Sequence, residues 1–141
     1  MIIVDAGPLV ALIDKGQTDT HEKCLAALRS LSSPLLTSWP CLAEAMYLLG
    51  KLRGWEGQKA LWNYLEAKTL VIYSLSEPES ARMRVLMERY ANVPMDLADA
   101  SLVVIAETTG LRQAFTLDDD FYIYRINDLD SFEVVPLNEG V

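Results

Sequence analysis

Short strand-like runs separated by helix-patterned stretches constrain this chain more than any other feature. Met1–Val4, Leu35–Ser38, Leu70–Tyr73 and Gln113–Leu117 are such runs, and Phe132–Pro136 is a fifth. Runs of this length bounded by turn residues read as strands buried in a sheet. A tight turn joins antiparallel strands, whereas parallel neighbours need a longer crossover, usually a helix. The pattern therefore predicts βαβ units with right-handed crossovers. The expected fold class is α/β: a parallel sheet of about five strands, flanked by helices in three layers.

The intervening helices are read over Pro8–Asp14 (after a turn at Ala6-Gly7), Thr20–Leu31, Leu42–Arg53, Glu56–Ala67, Pro78–Tyr90 and Leu97–Thr109. Asp19 or Thr20 is the expected N-cap of the second, Gly54 divides the third from the fourth, and Gly110 closes the last. Leu97–Thr109 is apolar nearly all round and should be buried. With no repeat, linker or low-complexity segment, the 141 residues, 51% hydrophobic, suit one domain over 1–141. No apolar run approaches the ~20 residues of a membrane helix. No basic region precedes Ile2-Ile3-Val4, so a signal peptide is not expected. Cys24 and Cys41 read as buried thiols of a reducing cytoplasm, and a lone histidine, His21, argues against His-based zinc. Trp39, Trp55 and Trp62 read as core or interface aromatics. Tyr122, Tyr124 and Arg125 read as packing, with base stacking as the alternative.

The placement of four acids points to chemistry. Asp5 ends the first run, Asp118 follows Ala-Phe-Thr-Leu, and Asp99 sits in a segment too apolar to hold an unpaired charge cheaply. Glu44 falls near the start of the helix after the second strand. Ligands of open parallel sheets lie beyond the carboxyl ends of the strands, so all four acids are expected at one rim. Converging carboxylates make an oxygen-rich site for a hard divalent ion. Each acid also has a bland reading. Asp5 suits an Asx-turn, and Glu44 alone reads as solvated. Asp96 and Asp99 are spaced as an N-cap and its N3 partner, and Asp118-Asp119-Asp120 suits a helix start. One or two of those last three are expected to be functional, Asp119 least. The net charge of −8 does not suggest general nucleic-acid affinity, unless the acids cluster and a metal reverses the local field. Arg82, Arg84, Arg89, Lys51 and Arg53 are candidate basic patches that read more simply as solvated helix faces.

These segments resemble a known family. Val-Asp-Ala-Gly-Pro-Leu-Val-Ala-Leu-Ile-Asp at the start, Leu-Ala-Glu-Ala-Met-Tyr-Leu-Leu-Gly, Met-Asp-Leu-Ala-Asp-Ala-Ser-Leu and Thr-Leu-Asp-Asp-Asp-Phe are similar, in order, to PIN-domain ribonucleases. These include the VapC-type toxins of toxin–antitoxin pairs. The resemblance implies a PIN fold and a divalent-metal-dependent endoribonuclease using Mg²⁺ or Mn²⁺ and leaving a 5′-phosphate. It implies Asp5, Glu44, Asp99 and Asp118 as catalytic acids, with Asp5, Asp99 and Asp118 as metal ligands and Asp96, Asp120 and Ser38 as possible additions. RNA as substrate, a homodimer and a basic antitoxin protein are the implied partners. The alternatives are a PIN RNase of RNA processing without an antitoxin and a non-catalytic PIN-like binding module. A haloacid-dehalogenase-type phosphatase needs an acid two residues after Asp5, where Gly7 stands. A response-regulator receiver needs a mid-chain Asp, and none occurs between Asp19 and Asp96.

Overall fold

The computed structural model describes residues 1–137, so the end of the domain expected over 1–141 lies outside the described residues. The elements are β1 (Ile2–Val4), α1 (Ala6–Ile13), α2 (Thr18–Ser30), β2 (Leu35–Ser38), α3 (Trp39–Glu66), β3 (Leu70–Tyr73), α4 (Glu77–Arg89) and α5 (Leu97–Thr109). There follow β4 (Gln113–Phe115), a 3₁₀ turn (Asp119–Tyr122), β5 (Arg125–Ile126), β6 (Asp130–Ser131) and β7 (Glu133–Val134). The main sheet has the order β3-β2-β1-β4-β7, and every neighbouring pair is parallel. The chain moves outward from β1 to β2 and β3, then returns to place β4 on the other side of β1. The crevice between β1 and β4 is therefore the sheet's topological switch point, where ligands of open α/β sheets bind.

Strand alternation sorts the side chains into two cores. Ile2, Val4, Leu35, Leu70 and Phe115 pack with α1, α2 and α3. Ile3, Leu36 and Ala114 pack with α4 and α5 on the opposite face. Helices cover both faces, so the strands are apolar on both sides. As expected, α5 is buried along most of its length and ends at Gly110, whose φ of 78° supplies the left-handed cap. No helix among the described residues is long and apolar enough to cross a membrane.

Several local expectations are corrected. Helix α1 begins directly at Ala6, with Asp5 as N-cap, rather than after a turn at Ala6-Gly7. Helix α2 begins at Thr18 with Gln17 at the cap position. Asp19 does not cap it, because its carboxylate faces Lys23 one turn on at 3.2 Å. Helix α3 begins at Trp39, earlier than expected, because the Ser38 hydroxyl caps the Cys41 N–H and Pro40 is tolerated in a first helical turn. The break at Gly54 is present, at φ 62° and ψ −153°. The fifth sheet strand is only Glu133–Val134, and the β5–β6 ribbon is an addition that periodicity does not reveal. Asn127 and Asp128 turn that ribbon at positive φ. Arg82 and Arg89 both pair with Asp128, and Arg82 also grips Glu107. Those arginines are thus consumed internally. Trp39, Trp55 and Trp62 are 55%, 61% and 44% exposed, which removes the core reading. Both cysteines are free and buried, and the His21 Nδ1 donates to the Ala11 carbonyl at 2.8 Å.

Candidate active site

Four structural starts meet at the carboxyl edge of the sheet. Asp5, Asp96 and Asp118 are the N-caps of α1, α5 and the 3₁₀ turn, and Ser38 is the N-cap of α3. An acid at an N-cap satisfies free backbone N–H groups and favours the helix dipole. The local fold thus explains why three carboxylates are tolerated so close together. Asp5, Gly7, Glu44, Asp96, Asp99, Leu117 and Asp118 line one open cavity of about 390 Å³. Within it, carboxylate oxygens of Asp5, Asp99 and Asp118 lie within 4.8 Å of one another. No basic side chain is among that lining.

Each aspartate of the cavity is held by a specific donor. The Asp5 Oδ1 accepts the Ala6 N–H at 2.8 Å, and its Oδ2 accepts the Thr116 hydroxyl at 3.0 Å. The same Thr116 oxygen accepts the Asp118 N–H at 3.0 Å, so one side chain ties the acid after β1 to the acid after β4. The Asp118 Oδ1 accepts the Asp120 N–H at 2.9 Å. The Asp96 Oδ1 accepts the Asp99 N–H at 2.8 Å, and the Tyr124 hydroxyl donates to the Asp99 Oδ2 at 2.7 Å.

Burial and mutual repulsion hold the Asp5, Asp99 and Glu44 carboxyls above their ordinary range. Burial pushes Asp5 up, the Ala6 and Thr116 donors oppose it, and the charges of Asp118 and Asp96 add to the rise. Asp99 is raised to about 7, first by burial, with Asp96, Asp5 and Asp118 adding and Tyr124 opposing. Glu44, exposed at the rim, is raised by partial burial and then by Asp96, Asp5 and Asp118. Two full charges 4.8 Å apart repel by roughly 3 kcal/mol at an effective dielectric of about 20. A hard divalent cation relieves that repulsion, and an all-carboxylate donor set suits Mg²⁺ or Mn²⁺ better than a soft or imidazole-preferring metal. The residues present fit such an ion.

The structure brings Asp5, Glu44, Asp96, Asp99 and Asp118 to one cavity and leaves two candidates outside its lining. Ser38 is fully buried behind the site. The Ser101 hydroxyl donates to the Ala98 carbonyl, so Ser38 donates to Ser101 at 2.6 Å while accepting from the Cys41 N–H. Between Ser38 and the acids sits the Cys41 thiol, 3.9 Å from the Asp5 Oδ1 and pushed up to about 12 by burial. Asp120 contributes its N–H to Asp118 rather than its carboxylate to the cavity. Sequence reasoning missed Thr116 and the hydroxyl role of Tyr124. The available signal was a hydroxyl placed two residues before Asp118, directly after the apolar pair Ala114-Phe115.

A profile of the PIN domain matches residues 2–128. The fold is similar to Mycobacterium tuberculosis VapC20, described as a sarcin–ricin-loop-cleaving toxin, with TM-score 0.78 and 19% identity over 85% of this chain and 92% of that one. A toxin–antitoxin complex from Klebsiella pneumoniae matches with TM-score 0.65 and 20% identity over 86% and 90%. VapBC2 from Rickettsia felis, bound to a promoter DNA fragment, matches with TM-score 0.64 and 17% identity over 95% and 98%. No curated protein sequence matches significantly. With the family profile spanning nearly its whole length, the chain belongs to the PIN domain family.

Proposed function

We propose that this protein is a divalent-metal-dependent endoribonuclease and the toxin of a toxin–antitoxin pair. The observation that carries the reading is the convergence of the Asp5, Asp99 and Asp118 carboxylates within 4.8 Å at the β1/β4 switch point. A bound Mg²⁺ or Mn²⁺ supplies Lewis acidity toward a scissile phosphate and lowers the pKa of a coordinated water. Asp5, Asp99 and Asp118 hold that ion, each steadied by the donors described above. Glu44, at the rim with its carboxyl raised, orients the attacking water or helps to hold a second ion. Asp96 keeps Asp99 in place through its N–H and adds negative charge to the wall. Leu117 supplies an apolar edge beside the acids.

The toxin assignment draws support from the toxin–antitoxin descriptions of the similar structures. A basic antitoxin segment suits this cleft, because an Arg or Lys can replace the ion's charge, and Arg binds carboxylates bidentately. Homodimerisation is part of the same reading, supported by the exposed aromatic residues Trp39, Tyr47, Trp55 and Trp62 along α3. RNA incubated with purified protein should be cut with Mn²⁺ or Mg²⁺ and left intact in EDTA. Light scattering should give twice the chain mass. A small basic-tailed protein encoded beside the gene should co-purify and suppress cleavage. Intact RNA across metals and targets would instead favour a binding module, and cleavage without a suppressing partner would favour an RNase of RNA processing.

A further inference from the structure

We infer that Tyr124 is a positioning residue for the acidic site: its hydroxyl fixes the Asp99 carboxylate in the orientation that holds the ion. This rests on the metal-dependent reading above. The Tyr124 side chain is fully buried, and its hydroxyl donates to the Asp99 Oδ2 at 2.7 Å. Its ring is locked by two edge-on aromatic contacts, to Tyr90 and Phe121, each with centroids 5.2 Å apart. The backbone is fixed too, because the Tyr124 N–H donates to the Asp120 carbonyl at 3.1 Å. A phenol with so few ways to move defines where the accepting oxygen must lie.

Asp99 needs such a partner. It is 5% exposed on the first turn of a helix that is apolar from Leu102 to Ala106, with Asp5, Asp96 and Asp118 around it. A carboxylate there, free to rotate, turns away from its like-charged neighbours or takes up a proton. One oxygen held by Tyr124 sets the carboxylate plane and leaves the other to serve as ligand. Hydrogen bonds to ligating side chains act in this way in metal sites generally. The segment from Asp118 to Tyr124 therefore contributes twice, with a site acid at its start and the group that aims a second site acid at its end. The 3₁₀ turn, capped by Asp118 and closed by the Ile123 N–H on the Asp120 carbonyl, sets the spacing between the two.

Tyr124→Phe removes only the hydroxyl and keeps both ring contacts. Mn²⁺ affinity, read by electron paramagnetic resonance of the free ion, should weaken about tenfold in this variant. The turnover number on RNA at a fixed, subsaturating metal concentration should fall with it, and saturating Mn²⁺ should restore it. Tyr90→Phe is the control, since its hydroxyl accepts the Arg125 N–H at 3.1 Å and touches no acid. It should leave Mn²⁺ affinity unchanged even where it lowers the melting temperature. A purely structural Tyr124 would instead lower the melting temperature in EDTA and leave Mn²⁺ affinity as it was, which overturns the inference. Should Tyr124→Phe not fold, 3-fluorotyrosine at position 124 keeps the hydroxyl, and its fluorine resonance should move on adding Mg²⁺. A resonance that stays fixed overturns the inference as well. Wild-type protein that binds no Mn²⁺ would sink the metal-dependent reading and this inference together. Wild-type protein that binds Mn²⁺ and cuts RNA, beside an indistinguishable Tyr124→Phe, rejects the role of Tyr124 alone.

Discussion

Asp99 is 5% exposed, faces three other aspartates, and has its carboxyl raised to about 7 from an ordinary 3.8. Between those two values the folded protein keeps a proton that the unfolded chain has released, so folding stability falls as pH rises through that window and is level above it. Asp5 and Glu44 are raised as well and act with the same sign. Asp14 and Glu79 are lowered, Glu79 to about 2 despite burial, through its Ser76, Tyr73 and Thr108 donors. Their stabilisation is complete above the ordinary carboxylate range, so from about pH 5 upward they do not offset the trend. In EDTA, urea unfolding should show stability dropping by on the order of a few kcal/mol between about pH 4 and pH 7. Asp99→Asn should flatten most of that drop; a wild-type profile that is level or rising would refute the burial account. Asp5→Asn should abolish RNA cleavage while the protein stays folded, whereas Asp119→Asn, outside the acid cavity, should keep most activity. Equal losses would mean that the wrong acids of the terminal run have been assigned. The approach of Asp5, Asp99 and Asp118 to one rim is legible in the sequence because each follows a strand or opens a helix, and that of Glu44 because it lies early in the helix after β2. Thr116 and Tyr124 are not, since a hydroxyl at the end of a buried strand and a tyrosine among aromatics look like packing.

At the level of elements, Gly54 is the clearest case in which one residue decides the path of the chain. Its φ of 62° and ψ of −153° lie where other residues are strained, and a Cβ added there would meet nothing within 4 Å. The cost of Gly54→Ala is therefore conformational, about 1–3 kcal/mol, and should appear as a lower urea midpoint with an unchanged slope. A neutral substitution would show that the two halves of α3 can straighten without loss. The division at Gly54 is readable because glycine interrupts an otherwise helical pattern. The parallel sheet is readable for a similar reason: strand and helix periods alternate along the chain. The boundaries are less so. The start of α3 depends on a Ser38 cap and a tolerated Pro40, and the start of α2 on Asp19 choosing Lys23 over the backbone. The β5–β6 ribbon has two residues per strand and is held by the Arg82 and Arg89 pairs with Asp128, contacts that cross from α4. Partners this distant in sequence leave no local pattern.

Over the whole molecule, a net charge of −8 is combined with a cleft whose lining holds five acids and no base. Arg53, Arg82, Arg89 and Arg112 each face a carboxylate, which reduces the positive charge free to meet a polyanion. On the proposed ribonuclease reading, RNA approaching the metal-free protein meets repulsion at this cleft, and a divalent ion has to reverse the local field first. Metal binding should consequently precede, and strengthen, RNA binding. It should also stabilise the fold, because the ion binds carboxylates that only the folded chain brings together. At a hundredfold excess over Kd the gain is roughly 2.7 kcal/mol, or a rise on the order of ten degrees in melting temperature for a domain of this size. Differential scanning fluorimetry across a Mn²⁺ titration should show that rise, and Asp99→Asn should reduce it. Non-cleaved RNA analogues should bind far more tightly with Ca²⁺ or Mn²⁺ than in EDTA. A melting temperature indifferent to metal, together with equal RNA affinity in EDTA, would mean that the clustered acids are capping groups alone and that the cleft is not where RNA is held.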